Sequence, residues 1–411
     1  MNICPQRSSL RALLLFTIAF CIFQTYTSLA WSSTYDSAGE SRGFGKIWTT
    51  RAEDADHILG KIPQSKPISP KPAEQVVLQP SSGRERMNAT FVSLVRNSEL
   101  SGMLQSIRDV EDRFNRNWNY DWVFLNDEEF TEEFVTTATA FTSGRAKFGK
   151  IDSEHWGFPA FVNQTRAQET REQMADLTYG DSASYRHMCR YQSGFFYKHP
   201  LVLDYEWYWR VEPSIQLFCD IDYDPFRLMA ENGKKYGFVI SINELKKTVP
   251  SLWSHVKDFM KAYPQHIVED NHMGFLSEDG GENWSYCHFW SNFEIASLDW
   301  YRSEAYNDFF DYLDKIGGFF YERWGDASIH TIAAALTLKK GEIHFFDDIG
   351  YRHEPILHCP RSAAKRLKNK CLCNPEENIA WNPSCTKRFF EAADLQFPDG
   401  HDRDVPREAG L

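Results

Sequence analysis

Three acidic clusters in the second half of the chain carry residue types that could do chemistry. The first is Tyr208-Trp-Arg-Val-Glu212-Pro213, which leads into Phe218-Cys-Asp220-Ile-Asp222-Tyr-Asp224. Carboxylates at a strand end offer hard oxygen ligands suited to Mn²⁺ or Mg²⁺. An ion held there would neutralise the charge of a leaving diphosphate. Side chains alternate along a strand, so Asp220, Asp222 and Asp224 share a face only if a strand runs through all three. Otherwise they form a solvated acidic turn before Pro225. In the second cluster, Tyr286-Cys-His288-Phe-Trp-Ser-Asn-Phe-Glu294-Ile295, Glu294 is the one carboxylate among aromatics. Burial raises a carboxyl pKa and demands hydrogen-bond partners, so Glu294 is either a structural hub or a tuned catalytic group. His288 reads as a satisfied, semi-buried side chain. The third cluster, Phe319-Phe-Tyr-Glu-Arg-Trp-Gly-Asp326-Ala327, places Asp326 to cap a following helix, a role that still permits a substrate contact. Beyond it, His353 of Asp347-Asp-Ile-Gly-Tyr-Arg-His353 reads as a loop residue free to reach a metal.

The elements that must position these groups alternate in type. Thr90-Phe-Val-Ser-Leu-Val95 predicts a strand ending at Arg96, and Leu100, Met103, Leu104, Ile107, Val110 and Phe114 recur at helical spacing. Asp121-Trp-Val-Phe-Leu125 is again strand-like, which completes a β-α-β unit of a parallel sheet. Further strands are predicted over residues 236–242 and 343–346. Helices are predicted around Leu252, Val256, Phe259 and Met260, and around Ile329, Ile332, Ala333 and Leu336. The fold class is α/β, a mixed sheet flanked by helices. Neither the dinucleotide nor the P-loop glycine motif occurs, so phosphate is not held by those devices.

Bulk properties narrow the setting. With 411 residues, the chain fits a single large α/β catalytic domain plus extra segments. A net charge of −12 argues against a nucleic-acid partner, because phosphate neutralisation needs a basic surface. An aromatic share of 15% supplies flat faces that suit sugar rings, although aromatics serve equally as core. Arg7 and Arg11 precede an apolar run over residues 12–31, longer than a cleaved signal peptide's core. Residues 1–31 therefore read as a cytosolic tail and signal-anchor helix, with the rest of the chain lumenal. Residues 32–85, with Pro63, Pro67, Pro70, Pro72 and Pro80 among polar residues, read as a flexible stem. Residues 86–411 form the catalytic domain. Sequons at Asn88, Asn163 and Asn283 agree with a lumenal location. So do Cys359, Cys371, Cys373 and Cys385, crowded as for disulfide stapling. Zinc at Cys371-Leu-Cys373 is the weaker alternative. Seven cysteines beyond the anchor leave at least one thiol free or paired between chains.

Six ordered blocks resemble one family. Tyr185-Arg-His-Met-Cys-Arg190, Ser193-Gly-Phe-Phe196, Tyr208-Trp-Arg-Val-Glu-Pro213, His288-Phe-Trp-Ser-Asn-Phe-Glu-Ile295, Gly318-Phe-Phe-Tyr-Glu-Arg-Trp-Gly-Asp-Ala327 and Asp348-Ile-Gly-Tyr351 are similar to the fungal α-1,2-mannosyltransferases, typified by the yeast Golgi enzymes that extend mannan. The resemblance covers residues 86–385. It implies a glycosyltransferase A-type fold, GDP-mannose as donor, Mn²⁺ as cofactor and retention of the α configuration. The acceptors would be α-mannosides on O- or N-linked glycans of secretory glycoproteins, and the location a type II Golgi membrane protein. Carried over residue by residue, the resemblance makes Glu212 and His353 the metal ligands and leaves the Asp220 run as runner-up. It makes Glu294 the catalytic carboxylate, proposed as nucleophile. Tyr185, Arg210 and Asp326 would line the donor or acceptor pocket, and Arg96 would lie near the nucleotide. The chain departs from the family at Ser214, where Asp is usual. Two other functions compete: a glycoside hydrolase, which also pairs carboxylates with aromatic platforms, and an inactive lumenal mannan-binding protein. The second draws support only from Ser214, and Glu212, Glu294, Asp326 and His353 speak against it.

Overall fold

The computed structural model describes residues 85–401, except Ala380, Asn382 and Pro383. The expected signal-anchor and nearly all of the expected stem lie outside the described residues. Among the described residues no helix is long and apolar enough to cross a membrane.

Twelve strands are present among these residues: β1 (Ala89–Leu94), β2 (Asp121–Asn126), β3 (Ala146–Lys150), β4 (Trp207–Arg210), β5 (Gln216–Leu217), β6 (Tyr236–Phe238), β7 (Ser241–Asn243), β8 (Cys287–Phe289), β9 (Glu294–Ser297), β10 (Ile343–Phe345), β11 (Tyr351–His353) and β12 (Ile356–His358). Seven form one mixed sheet in the order β10-β6-β9-β4-β1-β2-β3. β4, β1, β2 and β3 run parallel, and β9 lies antiparallel between β4 and β6. The expected β-α-β unit is β1, the helix Leu100–Arg113 and β2.

Alternation along the strands feeds two cores, one on each face of the sheet. Phe91, Trp122, Phe124, Trp209 and Ile295 pack with Met103, Ile107 and Val110 of the helix Leu100–Arg113. Val92, Val123, Leu125, Tyr208 and Ala296 pack with Phe309, Leu313, Ile329 and Ile332 from the helices Glu304–Ile316 and Asp326–Thr337. Coverage of both faces explains why every residue of β2 is buried and why its sequence lacks a polar face.

The strand expected over residues 236–242 is two strands. β6 belongs to the large sheet, whereas β7 pairs with β8 in a separate two-stranded sheet. No strand runs through residues 218–224. β5 ends at Leu217, and Asp224 instead caps the helix Pro225–Glu231 by accepting from the Phe226 amide at 3.0 Å.

Three disulfides, Cys219–Cys371, Cys287–Cys385 and Cys359–Cys373, tie the C-terminal cysteines partly to earlier chain. They use up Cys371 and Cys373, which removes the zinc alternative. Among the described residues Cys189 is the free thiol, buried, and burial pushes it well above the ordinary thiol range. All three sequon asparagines are exposed.

Candidate active site

The site grows from the pairing of β4 with β9. Arg210, last in β4, lies directly opposite Glu294, first in β9, so the two side chains share a face of the sheet. Both stand at the end of the sheet where the parallel strands β1 and β4 terminate, the edge at which open α/β sheets take ligands.

One guanidinium meets three carboxylates there. Arg210 Nη1 donates to Asp326 Oδ2 at 2.6 Å, Nε donates to Glu212 Oε1 at 2.9 Å, and Nη1 lies 3.9 Å from Glu294 Oε2. Arg210 is almost wholly buried, so the charge that compensates it must be local. Burial would raise the Asp326 carboxyl, but Arg210, His330 and the Ser291 hydroxyl outweigh it and hold the group at about 2. Ser291 Oγ donates to the same Asp326 oxygen at 2.7 Å.

Glu294 has no exposed surface. Its Oε1 accepts from Tyr301 OH at 2.9 Å and faces His330 Nδ1 at 2.9 Å, and its Oε2 accepts from Tyr208 OH at 3.0 Å. His330 Nε2 in turn lies 3.0 Å from the Gln192 carbonyl, so both ring nitrogens face acceptors. Burial works against the Glu294 charge, yet His330, Arg210 and Tyr236 together hold its carboxyl below the ordinary range. Glu294 is thus an ionised, fully hydrogen-bonded group.

Glu212 and His353 differ in exposure, with 24% and 29% of their side chains open to solvent. Arg210 engages Glu212 Oε1, while Oε2 lies 3.6 Å from His353 Nε2. His353, read as a loop residue, is the last residue of β11, with its ring edge-on to Trp290 at 5.6 Å. The buried His353 Nδ1 has no hydrogen-bond partner. A carboxylate oxygen beside an imidazole nitrogen, both solvent-accessible, fits a divalent ion of the manganese kind. No third His, Cys, Asp or Glu among the described residues completes a metal-sized group with them. The remaining coordination positions would fall to a bound ligand.

Arg96 reaches the helix that carries Tyr185. Arg96 follows β1 and donates through Nη2 to Ser184 Oγ, next to Tyr185 in the helix Ala183–Gly194. The Tyr185 ring faces the Arg323 guanidinium at 5.4 Å. Arg323 Nη2 lies 3.4 Å from Glu244, and Glu244 accepts from Ser328 at 3.0 Å, two residues beyond Asp326.

Asp326 is not the helix cap that its position suggested. Gly325 is the N-cap, and the Asp326 side chain turns to Arg210 and Ser291 instead. The Asp220 run does not converge. Asp220 pairs with Arg113 at 2.7 Å and Lys370 at 3.4 Å, Asp222 is exposed, and Asp224 accepts from Tyr120 OH at 2.7 Å. Sequence reasoning missed His330, Ser291 and Tyr301. His330 had a usable signal, since it stands four residues after Asp326 and therefore on the same helix face. Ser291 and Tyr301 carried none.

Comparisons with known proteins show the family. The sequence profile of the family described as glycolipid 2-alpha-mannosyltransferase matches residues 51–394. Glycolipid 2-alpha-mannosyltransferase 2 of Candida albicans is 56% identical over 317 residues, which is 76% of this chain and 69% of that protein. Alpha-1,2 mannosyltransferase KTR1 of Saccharomyces cerevisiae is 52% identical over 347 residues, 81% of this chain and 88% of that one. Among solved structures, core-mannan synthase A of Aspergillus fumigatus in its Mn/GDP form superposes with a TM-score of 0.72 at 40% identity, covering 77% of this chain and 88% of that chain. The protein therefore belongs to the glycolipid 2-alpha-mannosyltransferase family and is a mannosyltransferase with an α/β glycosyltransferase fold.

Proposed function

We propose that the chain transfers mannose from GDP-mannose to an α-mannoside acceptor in α-1,2 linkage with retention, using Mn²⁺ held by Glu212 and His353 on a glycosyltransferase A-type sheet. The observation that carries this reading is the division of labour within Glu212. Arg210 fixes Oε1, and Oε2 is left facing His353 Nε2 at 3.6 Å. When bound, the ion would supply positive charge to the leaving diphosphate. Arg96, exposed at the end of β1, would add a cation near the nucleotide. Asp326, held as a carboxylate at about 2, would accept from a sugar hydroxyl, and Tyr185 beside Arg323 would line the sugar pocket.

Retention needs either a carboxylate nucleophile or a front-face departure with negative charge fixed nearby. Glu294 spends both oxygens on Tyr208, Tyr301 and His330, which favours a fixed negative charge over attack at the anomeric carbon. A hydrolase would require one carboxyl kept protonated as general acid, usually with its pKa raised. Asp326 and Glu294 are both held low, which speaks against that reading.

The proposal extends to topology: residues 1–31 as tail and signal-anchor, 32–85 as stem, and the catalytic domain in the Golgi lumen. The basic flank before the apolar run, the exposed sequon asparagines and the three disulfides support it.

The test is incubation of the full chain with GDP-mannose, Mn²⁺ and a methyl α-mannoside acceptor, with linkage and anomer of the product read by NMR. We expect an α-1,2-linked disaccharide and GDP, both lost on chelation. A β-linked product would overturn retention. Consumption of GDP-mannose to free mannose alone, or unchanged turnover after chelation, would overturn the transfer or metal assignment respectively.

A further inference from the structure

His353 depends on a very small sheet. It stands on β11, the middle strand of the three-stranded sheet β12-β11-β5. These strands are three, three and two residues long, well short of the roughly 5–6 residues usual for a strand. Its candidate partner Glu212 lies beyond the end of β4 in the large sheet. A site that spans two sheets tolerates little drift, since functional groups must be held within about 0.5 Å.

Each outer strand of the small sheet runs into a cysteine. Cys219 follows β5 by two residues, and Cys359 follows β12 directly. Both are bonded to one short segment, Cys219 to Cys371 and Cys359 to Cys373. Backbone hydrogen bonds reinforce that segment. The Leu372 amide donates to the Phe218 carbonyl at 2.8 Å, and the Asp220 amide donates to the Asn369 carbonyl at 2.7 Å. The Phe218 amide donates to the Gly350 carbonyl at 2.9 Å, immediately before β11. Gly350 sits against both bridges. A methyl on its Cα would lie 2.8 Å from Cys219 Sγ and 3.6 Å from Cys373 Sγ. The two disulfides therefore enclose the entry to the strand that ends at His353.

We propose that Cys371-Leu-Cys373 is a clasp that positions His353 for metal binding, with Cys219, Cys359 and Gly350 as its counterparts. The proposal rests on the assignment of His353 as a metal ligand. The clasp clamps the outer strands at one end, so the central strand cannot slide or tilt and His353 Nε2 stays within reach of Glu212. The Cys219–Cys371 link spans 152 residues of sequence, so it also removes much of the freedom open to the unclasped chain.

The experiment measures Mn²⁺ affinity of the full chain by electron paramagnetic resonance in saturating GDP, alongside far-UV circular dichroism. The variants are Cys359→Ala with Cys373→Ala, Cys219→Ala with Cys371→Ala, and Gly350→Ala, which keeps both bridges but crowds them. Cys287→Ala with Cys385→Ala is the control, because that bridge ties β8 to the helix Thr386–Ala392 and not to the small sheet. Outer-shell supports of a metal ligand are worth about 10–100-fold in affinity. We expect the two clasp pairs to weaken Mn²⁺ binding by about tenfold or more and Gly350→Ala by about threefold or more. The apparent KM for Mn²⁺ should rise while kcat at saturating metal changes little. The control should stay within about twofold of the parent. Folded clasp variants and a Gly350→Ala protein with parental affinity would overturn the clasp, as would an equal loss in the control. His353→Ala separates the two assignments: retained Mn²⁺ affinity there overturns the ligand assignment itself, whereas loss there with intact binding in the clasp variants overturns only the clasp.

Discussion

At the residue scale, the site is an exercise in placing one cation among three anions. Among the described residues Arg210 is the only guanidinium bonded to Glu212 and Asp326, and its loss would leave uncompensated charge in a buried cluster. Glu294 tests what the fixed negative charge is worth. Glu294→Gln keeps the shape but removes the charge, and we expect turnover at saturating donor and Mn²⁺ to fall by about 10²–10³, the size of one stabilising group. Steady-state kinetics with donor affinity measured separately would check it, and near-normal turnover would leave Glu294 as a structural hub alone. Asp326 makes a pH prediction. Its folded-state pKa, about 2, lies below the ordinary value of 3.8. A depressed carboxyl contributes stability that is fully present above the unfolded value and lost as pH falls through the folded one. The contribution, about 2 kcal/mol by this shift, should vanish as pH drops from roughly 4 to 2. Urea midpoints across that range should be flatter for Asp326→Asn than for the parent. An unchanged acid slope would contradict the assignment.

At the element scale, the helices that back the site approach closely. Gly194 ends the helix Ala183–Gly194, and an added Cβ would lie 2.0 Å from the Phe310 ring of the helix Glu304–Ile316. Alanine is intrinsically the better helix former by roughly 1 kcal/mol. Overpacking a buried ring costs about 1–3 kcal/mol and wins here. Gly194→Ala should therefore lower the melting temperature, whereas a helix-propensity argument alone gives the opposite sign. Ser214 shows a second backbone constraint. It sits at φ +63 directly after Glu212-Pro213, in the left-handed region where Asn, Asp and Gly are the residues that settle most readily. Ser214 is exposed on this turn, and Arg210 holds Glu212 Oε1 two residues before it.

At the scale of the whole molecule, the described domain carries its three sequon asparagines outward. Asn88, Asn163 and Asn283 are exposed, and Asn163 caps the helix Gln164–Gln173. If the domain is lumenal, sealed vesicles should protect it from protease and its mass should fall on glycosidase treatment. Free digestion of the domain in intact vesicles would sink the topology.

Local order and residue chemistry were legible in the sequence. The short β-rich runs of β1 and β2 and the helical period between them point to a β-α-β unit, because apolar residues must be buried wherever the chain goes. The blocks around Glu212, Glu294, Asp326 and His353 identified the family. Tertiary structure alone decided how those carboxylates are spent. Asp224 looked like a metal ligand until Tyr120, 104 residues earlier, took its oxygen, and Asp326 looked like a cap until Arg210, 116 residues away, drew it inward. The disulfide pairing was equally invisible, because many pairings share one spacing and only the folded backbone brings two sulfurs together. A helix or strand repeats every few residues, so a short window suffices to read it. A charged site balances groups from distant segments, and that balance exists only once the sheet has joined them.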